Sequence, residues 1–248
     1  MQSKPRSRLD RFISGFVFLS LLLSMVYIAV QWARAPALPG SLMHEKLKSD
    51  YALMAVQCLL GLLAMLLPGW LARRWRVEIP SGMMILYVLF LYAAIYLGEV
   101  RSFYYRIPHW DMILHGFSGG MLGALAFSFV RLLNKSDRVH LILNPLFTAV
   151  FAFCFSMALG VFWEFYEYFV DGMLGLNMQK FLLEDGAALT GREALSDTMQ
   201  DLLTDAAGAI FTSAVGYVSL KYKKGWVEKV MLKKQPQREE QNQASISG

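Results

Sequence analysis

Six runs of about 20 apolar residues constrain the fold of this 248-residue chain more than any other feature. A helix of that length spans the ~30 Å hydrocarbon core of a bilayer. The runs lie near residues 12–31, 51–72, 81–99, 111–131, 144–168 and 197–220. The chain is 56% hydrophobic and 17% charged, and a soluble domain of this length has too little interior to bury so much apolar surface. The sequence therefore predicts an all-α fold: a polytopic transmembrane helical bundle of about six spans, forming a single integral membrane domain over residues 1–248.

The distribution of Lys and Arg orients these spans. Segments on alternate sides of the predicted helices carry 17 and 7 of the 24 basic residues. The richer set comprises the N-terminus, the turn at 73–76, the loop at 131–138 and the tail from residue 221 onward. By the positive-inside rule this set faces the cytoplasm, so both termini are expected to be cytoplasmic, with 235–248 a polar, disordered cytoplasmic tail. Because the basic residues cluster at the ends of apolar runs, they indicate topology, and we expect no nucleic-acid partner.

Ionisable side chains interrupt three of the predicted spans. Only 15 residues separate His115 from Arg131, a stretch that covers ~22 Å of the ~30 Å core. The same spacing separates Asp205 from Lys221, so both side chains should lie inside the outer leaflet. Members of this set recur three or four residues apart on one helical face: Asp111 and His115 in the fourth span, Glu164 and Glu167 in the fifth, and Asp197, Asp201 and Asp205 in the sixth.

An ionised carboxylate that faces lipid costs at least ~2.5–3.5 kcal/mol. These faces should therefore point into the bundle, where the topology brings them to one depth on the extracytoplasmic side. The sequence predicts an acidic, histidine-bearing pocket there, with Asp171 and Glu99 more peripheral and His109 in a loop. The alternative for each residue is a solvated helix end or a structural hydrogen bond between helices.

Carboxylates with one histidine suit a divalent cation, which would also offset their mutual repulsion. The hypothetical ligands are Asp111, His115, Glu164, Glu167, Asp197 and Asp201, and the candidate catalytic residues are Asp111, His115, Glu164, Asp201 and Asp205. Three functions fit this pattern. The first is a metal-dependent membrane enzyme that acts on a lipid-linked or phosphate-bearing substrate. The others are an ion-coupled transporter and a non-catalytic protein whose polar cluster supports packing or a partner. Membrane lipids are expected contacts in all three.

Three segments carry a family resemblance: 107–119 (Ile-Pro-His-Trp-Asp-Met-Ile-Leu-His-Gly-Phe-Ser-Gly), 163–167 (Trp-Glu-Phe-Tyr-Glu) and 197–208. Together they resemble the YjdF-like bacterial inner-membrane proteins of uncharacterised function. They are more distantly similar to VanZ-like membrane proteins, although Met112 stands where that pattern has Lys. The resemblance implies a multi-pass protein of the bacterial inner membrane and supplies no reaction.

Overall fold

The computed structural model describes residues 7–37, 46–134, 143–183, 187–226 and 231–234. Within them the chain forms seven α-helices, one π-helix and a two-stranded ladder. The elements are α1 (Arg8–Arg34), α2 (Lys48–Trp75), β1 (Val77–Glu78), α3 (Ser81–Leu91), the π-helix (Tyr92–Val100), α4 (Phe103–Arg106), α5 (Trp110–Asn134), α6 (Pro145–Leu174), α7 (Arg192–Lys221) and β2 (Lys233–Lys234).

Six helical segments are long and apolar enough to cross a membrane: α1, α2, the continuous segment Ser81–Val100, α5, α6 and α7. Each overlaps one predicted run and most extend a few residues beyond it. The predicted all-α, six-span architecture is therefore confirmed. The predicted tail at 235–248 and part of the 131–138 loop lie outside the described residues.

Local sequence signals explain where α6 begins and ends. Asn144 is its N-cap, and its side chain accepts a hydrogen bond from the Phe147 amide at 2.7 Å. Pro145 follows at the first helical position, where a missing amide hydrogen costs nothing. Gly175 ends the helix in the left-handed conformation that glycine adopts without strain. Because α6 extends beyond residue 168, Asp171 lies within its last turns.

The spans pack in two groups. Aliphatic and sulfur-containing side chains of α1, α2 and α3 form one core, around Leu21, Cys58 and Val88. The second group is α5, α6 and α7, and α5 packs most closely on α7. Gly208 permits that approach, since a Cβ there would lie 2.9 Å from the Gly120 amide nitrogen. Close backbone contact through small residues is a usual device of membrane helix pairs.

Two smaller features join these groups. The π-helix continues α3 and contacts α5, and the short helix α4 lies between them in the chain. At the opposite end of the bundle, β1 pairs antiparallel with β2, with Val77 opposite Lys234. Neighbouring Met231 packs with Phe127 and Ala152 of the second group. The chain after α7 thus contacts both halves of the protein.

Candidate metal centre

Three helix ends deliver the ionisable residues to one end of the second group. Asp111 and His115 lie in the first turns of α5, and Asp197, Asp201 and Asp205 occupy successive turns of the first half of α7. Glu164 and Glu167 lie in the second half of α6. Several are deeply buried: Asp201 and Asp205 are 1% exposed, Glu164 is 4% exposed and His115 is 7% exposed.

The imidazole of His115 lies between carboxylates on both sides. Its Nδ1 is 3.3 Å from Asp205 Oδ2, and Asp205 Oδ1 accepts a second hydrogen bond from Ser118 Oγ at 3.1 Å. Because a carboxylate accepts, this contact favours the proton on Nδ1 and leaves a lone pair on Nε2 in the neutral ring. His115 Nε2 is 3.7 Å from Asp111 Oδ1 and 3.9 Å from Asp201 Oδ2. Those separations are too long for hydrogen bonds.

The spacing around Nε2 suits a shared ion. Ligand atoms of Asp111, His115 and Asp201 all lie within 4.8 Å of one another, and no other set of three such residues meets this condition in the described part of the chain. Two ligand atoms that each lie about 2.2 Å from one ion can be no more than about 4.4 Å apart, and the nitrogen–oxygen separations of 3.7 and 3.9 Å meet that limit. Asp201 Oδ2 is buried and has no hydrogen-bond partner among the described residues. The donor set therefore fits a divalent cation.

The glutamates of α6 lie beside this group of three and outside it. Neither carboxylate oxygen of Glu164 has a hydrogen-bond partner at good geometry among the described residues, although the Thr198 hydroxyl is near enough to interact with it. Glu167 Oε1 accepts a hydrogen bond from Trp163 Nε1 at 2.9 Å. Glu164 is thus a buried acid with free acceptor capacity, whereas Glu167 is partly satisfied within its own helix.

The helical patterns did not identify Lys180, the basic member of the cluster. Its ammonium group donates hydrogen bonds to Asp111 Oδ2 and, at 3.3 Å, to Asp197 Oδ1, and it lies 5.8 Å from the centre of the Tyr104 ring. Burial lowers the pKa of Lys180, but the Asp111 and Asp197 carboxylates outweigh burial and raise it above its ordinary value. Lys180 is therefore an ammonium group paired with two carboxylates.

The loop between α6 and α7 is built to hold that lysine. The Asp171 carboxylate accepts hydrogen bonds from the amides of Met178 and Gln179 at 2.8 and 2.9 Å, which folds the start of the loop back onto α6. The Asn177 side chain donates to the Leu182 carbonyl and accepts from its amide, both at 2.8 Å. Lys180 lies inside this turn with a φ of 47°. A lysine in the left-handed region is uncommon, and here two side chains fix the turn around it.

The other predicted residues lie outside the cluster. Glu99, at the end of the π-helix, accepts a hydrogen bond from Gln57 Nε2 at 3.1 Å. His109 immediately precedes α5 in the left-handed conformation. Nearby Lys46 donates to Ser102 Oγ at 2.8 Å, and burial lowers its pKa.

These features define a class: a polytopic helical membrane protein with a buried carboxylate–histidine cluster at one end of the bundle. The chain belongs to the family described as "Predicted membrane protein (DUF2238)", which matches residues 16–222. An uncharacterised protein of Thermotoga maritima is 31% identical over 144 residues, which cover 56% of this chain and 64% of that protein. The match thus spans less than two thirds of the relative's length. No solved structure matches the chain.

Proposed function

We propose that this protein is a metal-dependent membrane enzyme that acts at the extracytoplasmic side on a lipid-linked or phosphate-bearing substrate. The observation that carries the proposal is the arrangement around His115. One ring nitrogen is hydrogen-bonded to Asp205, while the other lies 3.7 and 3.9 Å from two further carboxylates. A histidine whose second nitrogen donates to a carboxylate is the usual form of a protein metal ligand.

The residues take different roles in this proposal. Asp111 Oδ1, His115 Nε2 and Asp201 Oδ2 are the ligands, and Asp205 orients the imidazole. Glu164 is the candidate general base, because its buried carboxylate has free acceptor capacity beside the ligands. A divalent ion bound there would supply Lewis acidity and would activate water. In this proposal Glu164, Glu167 and Asp197, which the sequence also predicts as ligands, do not coordinate the ion, because they are not part of the group of three.

The substrate class follows from charge and depth. The pocket is strongly acidic, so an anionic substrate requires a cation in the site to offset repulsion. The cluster lies at the ends of three spans, where the interfacial region of a bilayer holds lipid headgroups. A phosphate carried on a lipid satisfies both conditions, since it binds metal and arrives at that depth.

The orientation and location are part of the same proposal. The 17-to-7 distribution of basic residues supports cytoplasmic termini, and the sequence resemblance supports the bacterial inner membrane and a YjdF-like, distantly VanZ-like relationship. Cysteine labelling tests the orientation after Cys58 and Cys154 are changed to Ser. An impermeant maleimide added to intact cells should label Leu183→Cys and should label Ser7→Cys only after permeabilisation. The reverse pattern would place the cluster in the cytoplasm.

Reconstituted protein tests the activity. Proteoliposomes that contain a polyprenyl diphosphate should release inorganic phosphate when Mn²⁺ or Mg²⁺ is added, and Glu164→Gln should abolish release while it leaves metal binding within about threefold. A matched control is Glu78→Gln, because Glu78 lies in β1 at the opposite end of the bundle. Cation uptake into sealed vesicles without phosphate release would instead support a carrier. Stability losses in the cluster variants with neither activity would support a packing role.

A further inference from the structure

Lys180 is the one basic side chain with an ion pair to the proposed metal centre among the described residues. It pairs with Asp111 Oδ2, the second oxygen of a carboxylate whose other oxygen faces His115 Nε2. A divalent ion at the proposed site and the lysine ammonium would therefore share one carboxylate. Because the ion and the ammonium would bind different oxygens, they would not overlap sterically. They would repel each other electrostatically.

The electrostatic repulsion between the two cations is strong in this buried site. A monocation and a dication on one carboxylate lie within about 5 Å of each other, well inside the Debye length, and buried pairs are screened little. The ammonium also has a second acceptor, Asp197 Oδ1 at 3.3 Å. Asp197 lies outside the group of three ligand residues. It can therefore hold the Lys180 ammonium when Asp111 coordinates the metal ion.

We propose that Lys180 sets the affinity of the metal centre as a tethered internal cation, which neutralises Asp111 in the ion-free protein and moves onto Asp197 when a divalent ion binds. The inference rests on the proposed function, because it requires the metal centre. It assigns Lys180 and Asp197 roles that the helical pattern does not give. Lys180 is a resident competitor, and Asp197 is its acceptor in the ion-bound state.

Mn²⁺ titration of the full-length protein in detergent tests this inference. Lys180→Met removes the charge and keeps the length, so Mn²⁺ should bind at least about tenfold more tightly. Lys180→Arg keeps the charge and should remain within about threefold of wild type. Lys46→Met is the matched control, because Lys46 is a buried lysine that donates to Ser102 and lies away from the ligands. Unchanged or weaker binding by Lys180→Met would overturn the inference and leave the metal centre standing.

A double-mutant cycle separates the role of Asp197 from that of a ligand. If Asp197 only receives Lys180, Asp197→Asn should weaken Mn²⁺ binding in wild type and should have no effect in the Lys180→Met background. An equal loss in both backgrounds would make Asp197 a ligand and would contradict the exchange.

Reciprocal linkage gives a test on the wild-type protein alone, which does not depend on the folding of any variant. If Mn²⁺ releases Lys180 from Asp111, saturating Mn²⁺ should speed amide hydrogen exchange in the 177–183 turn. Slower or unchanged exchange there would overturn the inference. Failure of both wild type and Lys180→Met to bind Mn²⁺ would instead contradict the proposed function itself.

Discussion

A substitution at Gly160 can displace the Asp205 carboxylate of the proposed centre without altering any ionisable residue. A Cβ at Gly160 would lie 2.5 Å from Asp205 Oδ2 and 3.2 Å from its Cγ. Gly160→Ala therefore forces the carboxylate to retreat by about 0.9 Å to reach ordinary van der Waals contact. The contacts of the Asp205 carboxylate with His115 Nδ1 and Ser118 Oγ are already 3.3 and 3.1 Å long, so a further displacement would break them.

Two effects of different size follow. Overpacking a tight interface costs about 1–3 kcal/mol, and the better helix propensity of alanine returns about 1 kcal/mol. We expect the free energy of unfolding to fall by about 0–2 kcal/mol. Loss of the carboxylate that orients a metal-binding histidine typically costs about tenfold to a hundredfold in metal affinity. That loss is about 1.4–2.7 kcal/mol of binding free energy, so metal binding should suffer at least as much as stability.

Calorimetry measures the Mn²⁺ affinity, and denaturant unfolding of the detergent-solubilised protein measures the free energy of unfolding. Gly172→Ala is the matched control, because Gly172 lies on the same helix and an added Cβ meets nothing within 4 Å. It should leave both quantities at or slightly above the wild-type values. Wild-type Mn²⁺ affinity in Gly160→Ala would refute the orienting role assigned to Asp205.

Further predictions concern packing, the loop and pH. Gly208→Ala should destabilise the protein by about 3 kcal/mol or more, since its Cβ would meet the Gly116 backbone, which cannot move cheaply; wild-type stability in denaturant titration would contradict this. Asp171→Asn should speed proteolysis of the α6–α7 loop, because it weakens the charge-assisted hydrogen bond to the Met178 amide; equal cleavage rates would show that the loop does not depend on it. Mn²⁺ affinity should fall as pH is lowered, because His115 must be neutral to bind an ion; calorimetry that shows no pH dependence would exclude His115 as a ligand.

The architecture could be predicted because lipid imposes a simple rule. A helix that crosses a bilayer needs a long apolar run, so α1 and α2 are visible in composition alone. Helix ends are less visible, because polar residues continue a helix beyond the hydrocarbon core. The first turn of α7 begins at Arg192, in a stretch that hydropathy assigns to a loop. The π-helix leaves no sequence signal, because Tyr92–Val100 continues the apolar run of α3 and hydropathy does not distinguish a π-helix from an α-helix.

The site could be predicted only as far as helical periodicity reaches. A spacing of four residues places Asp111 with His115, and Asp201 with Asp205, on their respective faces. Periodicity does not determine how three helices rotate against one another, so it could not separate the group of three from Glu164 and Glu167. It also says nothing about loops, and Lys180 is positioned by a turn.

Metal stoichiometry tests most directly whether the cluster around His115 binds a divalent ion. Wild-type protein purified in detergent and equilibrated with Mn²⁺ should bind one ion per chain, and both Asp201→Asn and His115→Ala should abolish binding while the protein stays folded. Absence of Mn²⁺ and Zn²⁺ binding by wild type, or undiminished binding by both variants, would contradict the account.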